Sequence, residues 1–135
     1  MIEAALATPM MFLMLSGVID FGRAYYFADA AASAARAGAQ FGIESAANVG
    51  NKAGMEAAAT TDAQGIANFT PTATWPYCLN ATGDSVSPTG SPLTCPAGST
   101  SYVKVSTVIT YNLIIPWPGL ANPLRIGGVA IMRAQ

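Results

Sequence analysis

Charged and uncharged positions divide the start of the chain sharply. From Ala4 to Ile19 there is no charged side chain, AALATPMMFLMLSGVI, with Glu3 before the run and Asp20 and Arg23 after it. An alanine-dominated stretch follows, Ala28 to Ala39, broken by Asp29, Ser33, Arg36 and Gly38. Alanine, leucine and methionine are strong helix formers, and nothing between Pro9 and Gly38 ends a helix. The pattern predicts one helix from Met1 to about Ile43. At about 1.5 Å per residue it spans roughly 60 Å. A chain of 135 residues cannot cover such a rod with what remains. The apolar half must be buried in lipid, in copies of the same chain, or in each in turn.

Gly50-Asn51 breaks the pattern. Lys52 to Ala67 reads as a second helix whose buried stripe is Met55, Ala59, Ile66 and Phe69. Phe69 to Cys78 reads as extended, and Pro71 and Pro76 make it an edge strand or a loop. Asn80 to Ser101 is a turn-rich loop. Tyr102 to Ile115 is the clearest strand: Val103, Val105, Ile109, Tyr111 and Leu113 alternate with Lys104, Ser106, Thr110 and Asn112. Pro116, Pro118 and Pro123 set a wide turn around Trp117, and Leu124 to Arg133 pairs back antiparallel. Gly127-Gly128 marks a bulge or a close approach to the long helix.

The expected fold is therefore α+β. A long N-terminal helix (1–43, with 1–25 in a membrane or a filament core) carries a small antiparallel sheet head (44–135) on its C-terminal half, plus a short second helix. The segment between Cys78 and Cys95 forms a loop in that head.

Composition narrows the function. Charged residues are 10% of the chain, against about a quarter in ordinary globular domains. Hydrophobic residues are 52% and mean hydropathy is +0.39. That balance suits an exported, membrane-associated or polymeric protein. A net charge of -1 with scattered basic residues argues against nucleic acid as a partner. Histidine is absent, which removes the commonest general base and metal ligand. The acidic residues are isolated, the serines lack a histidine partner, and Asp84, Ser85 and Ser87 are too sparse for a calcium loop. No enzyme activity, cofactor or metal is expected.

Cys78 and Cys95 fit no zinc or thioredoxin-like spacing. A disulfide closing a polar loop is the reading preferred over two free thiols. It contributes about 3 kcal/mol by loop entropy and implies an oxidising compartment. The basic residues nearest the apolar run, Arg23 and Arg36, follow it, which would place its C-terminal side in the cytoplasm. That conflicts with a disulfide. A basic leader ahead of Met1, later removed, resolves the conflict.

Residues 2–42 also resemble a known family. An acidic residue, Glu3, opens an apolar run containing Pro9. Asp20-Phe21-Gly22-Arg23 follows, then Ala-Arg-Ala-Gly-Ala at 35–39. These features resemble the N-terminal helix of TadE-like pseudopilins, relatives of type IV pilins in the broad sense. The ending Met132-Arg133-Ala134-Gln135 is similar to the family's ending. The resemblance implies a leader cut by a prepilin peptidase, passage through the inner membrane, and handling by tight-adherence pilus assembly machinery.

Roles follow for individual residues. Glu3, a carboxylate in apolar surroundings, demands a partner. An N-terminal ammonium, its own or that of the next subunit, would set axial register; complementing the helix dipole is the alternative. Pro9 either lets the helix stretch on assembly or simply kinks it. Asp20 and Arg23, at i and i+3, pair between subunits or form a solvated or headgroup-level pair. Tyr25, Tyr26, Phe27 and Phe41 are expected between helix and head. Asn68-Phe69-Thr70 and Asn80-Ala81-Thr82 match the glycosylation acceptor pattern, with plain polar loops as the alternative.

The function expected first is a structural subunit: docked in the inner membrane, then polymerised into an extracellular, adhesive helical filament of identical copies. A minor pseudopilin that primes or caps another pilin's filament is the second reading. A membrane-anchored binding protein that never polymerises is the third. A simple anchor needs only about 20 apolar residues, so the Ala/Gly-rich extension to Phe41 favours assembly.

Overall fold

The computed structural model describes residues 2–115 and 118–134, with the backbone alone for residues 2–4 and 6. The Glu3 side chain and the Pro116–Trp117 part of the expected turn lie outside the described residues.

Helix α1 runs from Ile2 to Glu44 and passes through Pro9 without a break. Helix α2, Lys52–Asp62, is five residues shorter than the pattern predicted, ending at Asp62 where Ala67 was expected. Asn51 caps its start: Oδ1 accepts the Gly54 N–H at 2.9 Å. Its end is set by Ala63, whose N–H reaches the Ala59 carbonyl at 3.1 Å. The chain then turns through Gly65 at φ +89°, a conformation glycine adopts without strain. Met55 and Ala59 are buried on α2 as expected. Ile66 and Phe69 lie beyond it and pack against the core from outside the helix.

Strands β1 (Phe69–Leu79), β2 (Ser85–Val86), β3 (Thr100–Tyr111) and β4 (Leu124–Arg133) form one antiparallel sheet in the order β2-β1-β3-β4. β1 is thus a strand and not a loop, flanked by β2 only at its end and an edge along the rest of its length. Its prolines are tolerated because β2 pairs only with Cys78 and Leu79. Most of the outer side of β1 carries no ladder for Pro71 to break. Its register with β3 shifts between Thr74 and Tyr77, around Pro76. Part of that outer side is covered by α2, where Glu56 Oε1 accepts the Ala73 N–H at 2.9 Å.

β3 ends at Tyr111 rather than Ile115, because the next backbone donors turn toward α1. Between β3 and β4 the register runs unbroken from Tyr102↔Arg133 to Tyr111↔Leu124. Gly127-Gly128 is therefore a close approach and not a bulge. A Cβ on Gly128 would lie 2.5 Å from the Ala31 carbonyl oxygen.

The inward face of the sheet lies on the C-terminal half of α1. Val103, Val105 and Ile109 of β3 and Ala130 of β4 are buried with Ala34, Ala35 and Ala39 of α1 and Met55 of α2. Thr107 occupies an inward position among them. Its hydroxyl donates to the Ala31 carbonyl at 2.7 Å, which satisfies the group inside the core. Cys78, in β1, is bonded to Cys95. The disulfide ties the end of β1 to the loop before β3.

Candidate assembly surface

The two ends of α1 present different side chains. From Ala31 to Ala39 its inner face is alanine, with Ala31, Ala34, Ala35 and Ala39 fully buried. Gly38 lets α2 come closer still: a Cβ there would meet the Met55 carbonyl oxygen at 2.8 Å. From Met10 to Tyr26 the helix instead exposes Met10, Met11, Phe12, Met14, Val18 and Phe21, among others, each more than 60% accessible. A contiguous apolar surface of this kind marks an interaction site on a folded protein. Tyr25 and Tyr26, expected against the head, are exposed as well. Their neighbour Phe27 does meet the head, its ring 4.7 Å from that of Tyr111.

Where head and bare helix meet, three polar side chains converge. Asp20 is only 4% exposed. Its Oδ1 accepts the Ile114 N–H at 3.1 Å and its Oδ2 the Ile115 N–H at 3.4 Å. Asp20 therefore holds the β3–β4 connection onto α1. The Arg23 guanidinium lies 5.8 Å from the centre of the Tyr111 ring, within cation–π range. Tyr111 Oη is buried and has no hydrogen-bond partner among the described residues. Burial pushes the Tyr111 hydroxyl above its ordinary pKa of 10.0; the Asp20 charge adds to this and Arg23 opposes it. Beside these groups runs an open apolar groove of about 870 Å³, lined by Met14, Val18, Phe21, Leu113, Leu120 and Leu124 among others.

Pro9 lies on the bare half, exposed and inside the helix. The two acceptor-pattern asparagines sit far from it. Asn68 precedes β1 in a left-handed conformation, φ 56°, and its carbonyl takes the Thr110 N–H at 3.2 Å. Asn80 organises the turn after β1. Its Oδ1 accepts the N–H of Asp84 at 2.8 Å and of Thr82 at 3.1 Å. The Thr82 hydroxyl lies 2.6 Å from Asp84 Oδ2. That hydrogen bond, with a weaker one from Asn80, holds the Asp84 carboxyl below its ordinary value of 3.8.

Residues 1–40 match the family model described as TadE-like protein. The match covers the bare half of α1, Asp20 and Arg23, and most of the alanine face under the head. It points to a protein associated with tight-adherence pili and, with them, to the membrane or cell surface. No curated protein and no solved structure matches the chain. The head thus lies outside the TadE-like match and is known here from its own geometry. Among the described residues no helix is long and apolar enough to cross a membrane.

Sequence reasoning missed Glu56, Thr107 and the inward turn of Asp20. Thr107 had a signal, since it continues the inward alternation of Val103, Val105, Ile109 and Tyr111. Asp20 and Glu56 had none. Each bonds to backbone donors distant in the chain, which only the fold brings near.

Proposed function

We propose that this chain is a structural subunit of an extracellular pilus-like filament and polymerises through its N-terminal helix. One observation supports this reading above the others. The helix buries alanines in its own head but leaves its large apolar side chains bare. Each large side chain gains about 1.5–3 kcal/mol on burial, so a surface bearing many of them favours association strongly. A head-to-tail contact that does not close on itself yields an open helical polymer.

In this reading a prepilin peptidase removes a basic leader, the helix waits in the inner membrane, and the pilus machinery transfers it to the growing filament. Contact with lipid is exchanged for contact with sister helices. Glu3 sets the axial register, and Pro9, which leaves the Ala5 carbonyl without its helical donor, gives the rod a point of yield. The role is structural and not catalytic.

The test is to shear surface fibres from cells, image them, and identify their main component by mass spectrometry. Fibres built mainly of this chain are expected. Fibres that contain it only as a trace make it a minor pseudopilin. Cells that keep it in the membrane with no fibre at all make it an anchored binding protein.

A further inference from the structure

The charge that ends the apolar run is hidden from outside. Asp20 is 4% exposed, while its neighbours Ile19 and Phe21 are 46% and 81% exposed. What hides it is the β3–β4 connection, whose backbone donors at Ile114 and Ile115 close on its carboxylate. From Asn112 to Leu124 that connection carries no charged residue. Ile114 and Leu120 stand on its outside, each more than half exposed, and Leu113 and Leu120 wall the apolar groove beside the helix. At this level of the rod, the head replaces a carboxylate with hydrocarbon.

Length says what the replacement is for. The uncharged run Ala4 to Ile19 measures about 24 Å as helix, whereas a bilayer's hydrocarbon core is about 30 Å thick. The shortfall of about 6 Å corresponds to about four residues, which here are Asp20 to Arg23. Asp20 lies under the connection, and Arg23 keeps its guanidinium near the Tyr111 ring. Just beyond stand the exposed Tyr25 and Tyr26, and tyrosine favours the membrane–water interface. Arg125, next in sequence to Leu124 of the groove, is exposed and paired in register with Thr110. Arg23 and Arg125 outnumber the single Asp20 carboxylate and leave an excess of positive charge, the sign that anionic headgroups attract.

We infer that Leu113, Ile114 and Leu120 of the β3–β4 connection form a lipid-facing collar, which seats at the headgroup boundary before assembly and completes the membrane span that the helix alone falls short of. The occupant of the groove is thus lipid. The inference rests on the membrane-docked stage of the proposed function.

The test uses the full chain in phosphatidylethanolamine–phosphatidylglycerol vesicles, with Trp75→Phe and Trp117→Phe removing the native tryptophans. Leu120→Trp then reports on the collar and, in a separate protein, Phe12→Trp reports on the helix. Lipids brominated near the glycerol should quench Leu120→Trp most, and lipids brominated deeper in the chain should quench Phe12→Trp most. Ile114→Asp with Leu120→Asp should lower partitioning into vesicles about tenfold without changing the melting of the head. Quenching of Phe12→Trp alone would overturn the collar and leave membrane docking intact. Quenching of neither would remove both. Protection of Leu120→Trp that follows protein concentration, with no quenching by any lipid, would give the groove to a second copy and overturn the inference.

Discussion

The two halves of α1 obey one rule with opposite outcomes. Under the head the helix carries alanine and glycine, so the backbones of helix, sheet and α2 approach closely. The Thr107 hydroxyl bonds to the Ala31 carbonyl at 2.7 Å, and no side chain stands between Gly128 and the helix. Below the head the helix carries methionine, phenylalanine, leucine and tyrosine and touches little of its own chain. Small residues here mark contacts completed within the molecule. Large exposed ones mark contacts left for something outside it. A monomer content with its own core has no reason to keep the second set.

The sharpest way to break this contrast is to charge the bare half. Phe12→Asp with Met14→Asp should abolish fibre formation, seen by electron microscopy, while the melting of the head, followed by circular dichroism, stays unchanged. A second change strikes the covered half. Gly128→Val pushes a branched side chain into the Ala31 backbone and should cost about 3 kcal/mol in denaturant titration. Gly22→Ala, on the bare half, meets nothing within 4 Å and should gain about 0.5–1 kcal/mol from helix propensity. If the two glycine substitutions behaved alike, the division of α1 would be wrong.

Reduction of the Cys78–Cys95 disulfide should cost the head about 3 kcal/mol and leave any lipid partitioning of the bare helix unaltered. Intact mass with and without reductant checks that the bond is present. The smallest effect is expected at Asp84. Its folded pKa lies below the ordinary 3.8, so the turn is favoured above that value and loosens as pH falls through the folded pKa. Amide shifts of Asn80 to Asp84 followed by NMR should move together below about pH 3.8, with little change in global stability because the carboxylate is exposed.

Much of this was legible in the residues. The long helix, β4 and the outward–inward alternation of β3 follow from local period and composition, and the structure places them within a few residues of expectation. The ends of α2 and β3 were not legible. One depends on Gly65 taking a left-handed turn, and the other on Asp20 drawing the donors of Ile114 and Ile115 across the molecule. Polar residues that work inside the fold, Glu56 and Thr107, look like surface residues until the sheet is assembled. Tyr25 and Tyr26 misled in the other direction. Aromatic rings suggest burial, but these two are left exposed while the head contacts Asp20, Arg23 and Phe27 around them. The assembly surface was legible as an excess of apolar length; the collar that extends it was not, because it is built from a distant loop.

The central claim is that the bare half of α1 is covered by other copies of the same chain. A photo-reactive benzophenone amino acid at position 12, activated in intact surface fibres, tests this directly. The account predicts cross-links between copies of the chain, mapping to their N-terminal helices. Cross-links confined to lipid, or to the chain's own head, would contradict it.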